Sequence, residues 1–196
     1  MEHYTFSKIT FETEANMTKL TIIVGMAGSG KSWLCDDIDK QSTSPVSIFK
    51  DATLTYNDER RAGHNCLGEM VARLVGRSED CVMDEAHLTV PDFRQSFKRF
   101  CDEFLPDVEQ RWNFFDSNTL ACINNLYHDA ETKGRDQLSR YEALDSQRVI
   151  YEVPTNRSEW PGFTSHKVHQ CGSQFENEAE AINWLQEKIK GLGGEV

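Results

Sequence analysis

From Leu20 onward, short apolar runs alternate with longer stretches whose apolar positions recur at helical spacing. The runs are LTIIV (20–24), VSIF (46–49), CVMD (81–84), WNFF (112–115) and RVIYEV (148–153). They lack the strict polar alternation of a half-exposed strand, so each reads as a strand buried on both faces, with the helical stretches as its cover. The pattern predicts an α/β fold of three layers: a mostly parallel five-stranded sheet with helices on both faces.

The helical stretches have their own punctuation. Leu67, Met70, Val71, Leu74 and Val75 recur through residues 57–76, and Gly76 is placed to end that helix. PDFRQSFKRFCDEFL opens on Pro91 and lines Phe93, Phe97, Phe100, Cys101 and Phe104 along one side, a stripe that packing on a sheet explains without a cofactor. SNTLACINNLYHDAETKGRDQLSRYEAL reads as two helices broken at TKGR. Pro154 and Pro161 bracket the loop PTNRSEWPG, where Trp160 would cap an apolar edge, and HKVHQ (166–170) reads as a last strand. The final helix is expected to start from Ser173, with glutamates in its first turn and lysines near its end. Residues 1–19 read as an N-terminal extension, in which YTFSKITFE alternates as a short strand does, and residues 20–196 as a single domain.

Composition narrows the partners. A formal charge of −11, from 32 acidic and 21 basic residues among 196, repels polyanions, so no extended duplex is expected to bind. Six cysteines at 35, 66, 81, 101, 122 and 171 form no C-x-x-C pair and read as reduced thiols, several of them in the core. His166, His169 and Cys171 alternate along a strand and need no metal to explain them. No apolar run approaches the roughly 18 residues that cross a bilayer, which leads to the expectation of a cytoplasmic protein with no membrane partner.

Residues 25–32, GMAGSGKS, complete the pattern G-x-x-x-x-G-K-S between an apolar strand and a helical stretch, where a phosphate-binding loop belongs. Gly25, Met26, Ala27, Gly28, Ser29 and Gly30 are expected to wrap the phosphates of ATP with backbone N–H groups, joined by Lys31, Ser32 and Trp33 at the helix start. Lys31 would reach the terminal phosphates and Ser32 would offer its hydroxyl to a magnesium ion. Asp84, at the end of CVMD, is the expected carboxylate across that ion, acting through water; Glu85 would assist or activate a nucleophile, and His87 would form a turn or bridge to an acid, with catalysis as its lesser alternative. The letters DEAH also occur in helicases, but those engines need two full motor domains.

On IVGMAGSGKS, VMDEAH and WNFFDSNTLACINNLYHD, residues 20–155 resemble the small P-loop kinases, most of all the polynucleotide-kinase and zeta-toxin-like group of bacterial and phage P-loop NTPases. The resemblance implies a proton-accepting carboxylate after the second strand, which falls on Asp51, and lid arginines after the fourth. Within a lid at 126–142, Arg135 beside Gly134 is the first candidate and Arg140 the second; His128 stands where the group carries an arginine. Lys50 is placed to neutralise an incoming phosphate or to be solvated, Asp58, Arg60 and Arg61 to meet a substrate or to form local ion pairs, and Asn156 and Arg157 to lie in a solvated loop or to meet the adenine.

The expected reaction moves the γ-phosphate of ATP to a hydroxyl of a nucleoside, a nucleotide, a nucleic-acid 5′ end or another small alcohol. The alternative is a nucleotide-binding module or slow ATPase that switches a protein partner, with Glu85 positioning water.

Overall fold

The computed structural model describes residues 17–50 and 66–196. Strands β1 (Lys19–Val24), β2 (Val46–Lys50), β3 (Asp80–Asp84), β4 (Glu109–Phe115) and β5 (Thr164–His166) form one sheet in the order β2-β3-β1-β4-β5, and every pairing is parallel. Helices α1 (Lys31–Gln41), α2 (Cys66–Val71), α3 (Pro91–Phe104), α4 (Thr119–Lys133) and α5 (Leu138–Ile150) lie between the strands, α6 (Glu178–Gly191) follows the last of them, and the helices cover both faces. Lys19 already belongs to β1, one residue inside the expected extension.

β1 lies at the centre of the sheet, and Leu20, Ile22, Ile23 and Val24 are all fully buried, as an apolar run without alternation requires. The chain leaves β1 toward the β2 edge and leaves β4 toward the β5 edge, so connections diverge at the β1–β4 seam. In open parallel sheets, a ligand crevice forms at the carboxyl ends of strands at such a point.

Residue alternation in β4 divides the core. Trp112 and Phe114 meet Trp160 at 4.7 and 5.4 Å between ring centroids, and Trp112 meets Phe97 of α3 at 6.2 Å. Trp160 is therefore a core residue, not an edge cap. Arg94 of α3 lies within 6.0 Å of the Phe114, Tyr151 and Trp160 rings and donates to the carbonyls of Leu88 and Glu152. Tyr127, Tyr141, Phe175 and Trp184 form a second aromatic group that joins α4 and α5 to α6.

Several expectations are corrected. Residues 148–150 are not a strand but the last turn of α5, because Tyr141, Leu144 and Gln147 keep one helical face buried and Arg148 pairs with Asp145 at 2.8 Å. The fifth strand is Thr164–His166, which overlaps the expected 166–170 only at His166. The cap of α6 is Asn177 rather than Ser173: Asn124 bonds both the N–H and the carbonyl of Phe175, keeping the chain out of a helix until Asn177 accepts from Glu180 N–H. The helix at 66–76 passes from α2 into a π turn, Ala72–Gly76, and leaves Val75 exposed; Phe104, at the end of α3, is exposed as well.

Candidate functional site

The loop 25–30 joins β1 to α1. Gly28 and Gly30 adopt φ of 80° and 102°, which a side chain resists, and a Cβ on Gly28 would lie 2.5 Å from the carbonyl oxygen of Cys122 in α4. The helical ladder starts where Leu34 N–H donates to Gly30, so the N–H groups of Lys31, Ser32 and Trp33 precede it and point past the helix start. Lys31 Nζ donates to the carbonyls of Gly25 and Met26 at 2.8 and 3.0 Å. Met26 is buried, so main chain is what it offers a phosphate, whereas the Trp33 side chain is 70% exposed.

Strand register supplies the acid. Asp84 is paired with Ile23 of β1 and Lys50 of β2, which puts its carboxylate at the carboxyl edge of the sheet beside the loop. Its oxygens lie 3.4 Å from Ser32 Oγ and 4.0 Å from Lys31 Nζ. A ring of N–H groups with an ammonium suits a phosphate chain, and a hydroxyl facing a carboxylate suits a hydrated magnesium ion. The residues present fit both groups.

Glu85, the next residue, is fully buried and accepts from both His87 N–H and His87 Nδ1, at 3.0 and 2.7 Å. The imidazole is half exposed.

A second set of residues, which the sequence reading passed over, holds the loop from beneath. Gln147 Oε1 accepts from Ala27 N–H at 2.7 Å, and Gln147 Nε2 reaches the Ala86 carbonyl at 3.5 Å. Asn125 donates to the carbonyls of Gly28 and His169 and accepts from Cys171 N–H. Tyr151 Oη donates to the carbonyl of Phe115 at 2.5 Å, with that of Val24 at 3.4 Å, and so clasps the ends of β4 and β1. Burial raises the Tyr151 phenol well above its ordinary value, so the hydroxyl stays a donor. The available signal was a polar residue on an apolar helical face: Asn124 and Asn125 inside ACINNL, and Gln147 in step with Tyr141 and Leu144.

Other expected site residues are dispersed. Asp51, Asp58, Arg60 and Arg61 lie outside the described residues. Arg135 sits in the exposed turn between α4 and α5, and Arg140 pairs with Asp129 at 2.8 Å. That turn is pinned by Asp136, which accepts from Tyr141 Oη and Lys188 Nζ, while Leu126 and Tyr141, at the ends of the expected lid, are each 1% exposed. Asn156 bonds Glu159 and Ser158, and Arg157 lies over the Phe163 ring at 5.3 Å. Their loop precedes β5 rather than following the last strand, which removes the reason for placing them at an adenine.

Among the described residues no cluster of histidine, cysteine and acid side chains suits a metal. Cys35, Cys81, Cys101 and Cys122 are buried free thiols, each pushed up to about 12 chiefly by burial, whereas Cys171 is exposed. A cavity of about 900 Å³ lies at the opposite end of the sheet between Lys19, Ser44, Arg77 and Arg111, away from this chemistry. No described helix is long and apolar enough to cross a membrane.

No protein-family model and no curated protein matches the chain. Among solved structures, a candidate kinase from Chloroflexus aurantiacus is similar at 12% identity and TM-score 0.49, covering 89% of this chain and 97% of that one. A structure from the PezAT chromosomal toxin–antitoxin system of Streptococcus pneumoniae is similar at 10% and 0.43, covering 90% and 87%. An uncharacterized protein from Eubacterium ventriosum is similar at 8% and 0.44, covering 89% and 99%. Likenesses this remote add nothing to the geometry of the loop.

Proposed function

We propose that the chain is an ATP-dependent phosphotransferase that moves the γ-phosphate to a hydroxyl of a nucleoside, a nucleotide, a nucleic-acid 5′ end or another small alcohol. The observation that carries this reading is the convergence of Lys31, Ser32 and Asp84 beside the open N–H groups of α1. Lys31 and the loop N–H groups hold the phosphates in line, and phosphoryl transfer asks mainly for such positioning and charge. Ser32 and Asp84 would hold magnesium, which supplies charge neutralisation on the phosphates. Arg135, exposed in its turn, is the proposed cation that meets the transferring group. The kinase reading does not depend on Asp51.

The reading of a hydrolytic switch needs a residue that faces an attacking water. Glu85, its expected agent, is fully buried and bonded to His87, so its carboxylate does not face such a water.

The test is transfer of labelled γ-phosphate from ATP and magnesium to adenosine, uridine monophosphate, a 5′-hydroxyl oligonucleotide and glycerol, with Lys31→Ala as control. A labelled acceptor that disappears in the variant is expected. Phosphate release to water alone, equally dependent on Lys31, would replace the kinase with an ATPase.

A further inference from the structure

The backbone at Glu85 is extended, with φ −130° and ψ 117°, so Asp84 and Glu85 part company: one carboxylate turns to Ser32 while the other is buried. Glu85 starts the 3-10 turn Ala86–Thr89, and its bond to His87 N–H is an ordinary cap that any residue at 87 would satisfy. The second bond is different, because it uses the imidazole. A carboxylate 2.7 Å from Nδ1 requires a donor there, so the neutral ring carries its proton on Nδ1 and Nε2 keeps its lone pair. Among the described residues nothing bonds Nε2, and the ring, 5.8 Å from that of Phe93, is half open to solvent.

The position of this pair matters as much as its chemistry. Gln147 joins the Ala86 carbonyl to Ala27 N–H of the phosphate loop, so His87 is one residue removed from an atom cross-linked to the loop and three from Asp84. An oriented imidazole with a buried acid behind it is the usual arrangement of a general base.

We propose that His87 is the catalytic base that accepts the proton of the acceptor hydroxyl, and that Glu85 is its positioning residue. The inference rests on the kinase reading above. As the acceptor oxygen forms its bond to the γ-phosphorus, its proton passes to His87 Nε2; the bond from that phosphorus to the β–γ bridging oxygen breaks, and its electron pair leaves with ADP. The imidazolium then returns the proton to solvent. Glu85 fixes the tautomer beforehand and balances the charge that the ring acquires.

The deciding experiment compares wild type, His87→Asn and Asp51→Asn in the acceptor panel above. Asparagine keeps a donor for Glu85 and lacks Nε2. The expected result for His87→Asn is a loss of about 100-fold or more in kcat, with KM for ATP, binding of a non-hydrolysable ATP analogue and Tm unchanged. Transfer by His87→Asn within threefold of wild type overturns the inference and leaves the kinase reading standing; loss in Asp51→Asn alone then gives the role to Asp51. Failure of wild type to label any acceptor overturns both. Should His87→Asn fail to fold, 15N-histidine spectra of wild type still decide: the Nδ1–H tautomer is expected at His87, converting to a mixture in Glu85→Gln, and an Nε2–H tautomer in wild type overturns the inference.

Discussion

The phosphate loop lies between two unlike flanks. On the β3 side stand groups that carry or exchange charge: Asp84, with Lys31 and Ser32 facing it, and the pair Glu85 and His87. On the α4–α5 side stand neutral amides and a phenol, Asn125, Gln147 and Tyr151, which bond main chain and nothing else within hydrogen-bond reach. The first flank is arranged for what happens to a phosphate and the second for the shape of the loop that holds it. A charge placed on the second flank would be buried without a partner, whereas an amide there satisfies donor and acceptor together.

Substitutions should separate the two flanks by their readout. Lys31→Ala should lower transfer by about 100-fold or more, the scale of a lost electrostatic contact in a transition state, with Tm little changed; an equal loss of Tm would mean that the charged flank also builds the loop. Asp84→Asn should lower kcat by about 10- to 100-fold and raise the magnesium concentration needed for half-maximal transfer, with the same Tm control. Asn125→Leu reverses the pattern. It leaves buried main-chain groups without partners at a cost of about 1–3 kcal/mol each, so Tm should fall by several degrees, measured by calorimetry. Gln147→Leu should lie below Asn125→Leu in the same measurement, because it releases one close bond rather than three. Arg140→Ala, away from both flanks, should cost about 1 kcal/mol, because it opens a single half-buried ion pair with Asp129.

The charged flank was largely legible in the sequence because its residues are close together along the chain and chemistry dictates their types. G-x-x-x-x-G-K-S encodes the loop, and a strand that ends in acid encodes its counterpart. The amide flank was not, because Asn125 and Gln147 reach the loop across 97 and 120 residues, respectively. The sheet behaved similarly. Four apolar runs became strands, whereas RVIYEV, β-branched and aromatic enough for a strand, begins in α5 because a buried helical face outweighs local preference. The strand at the β5 edge is three residues of Thr, Ser and His, too short and too polar to announce itself. His87 was visible as a letter, but its pairing with a buried carboxylate depends on the turn that follows β3.

Asn124 and Asn125 bond the backbone of His169, Cys171 and Phe175, so this stretch receives its course from α4 rather than from its own side chains. Evolution is therefore free to rewrite the exposed positions His169, Gln170 and Cys171 without redrawing the path that carries them. The molecule keeps an interchangeable surface on a permanent mount, tied through Asn125 to a loop whose Gly28 has no room for a side chain.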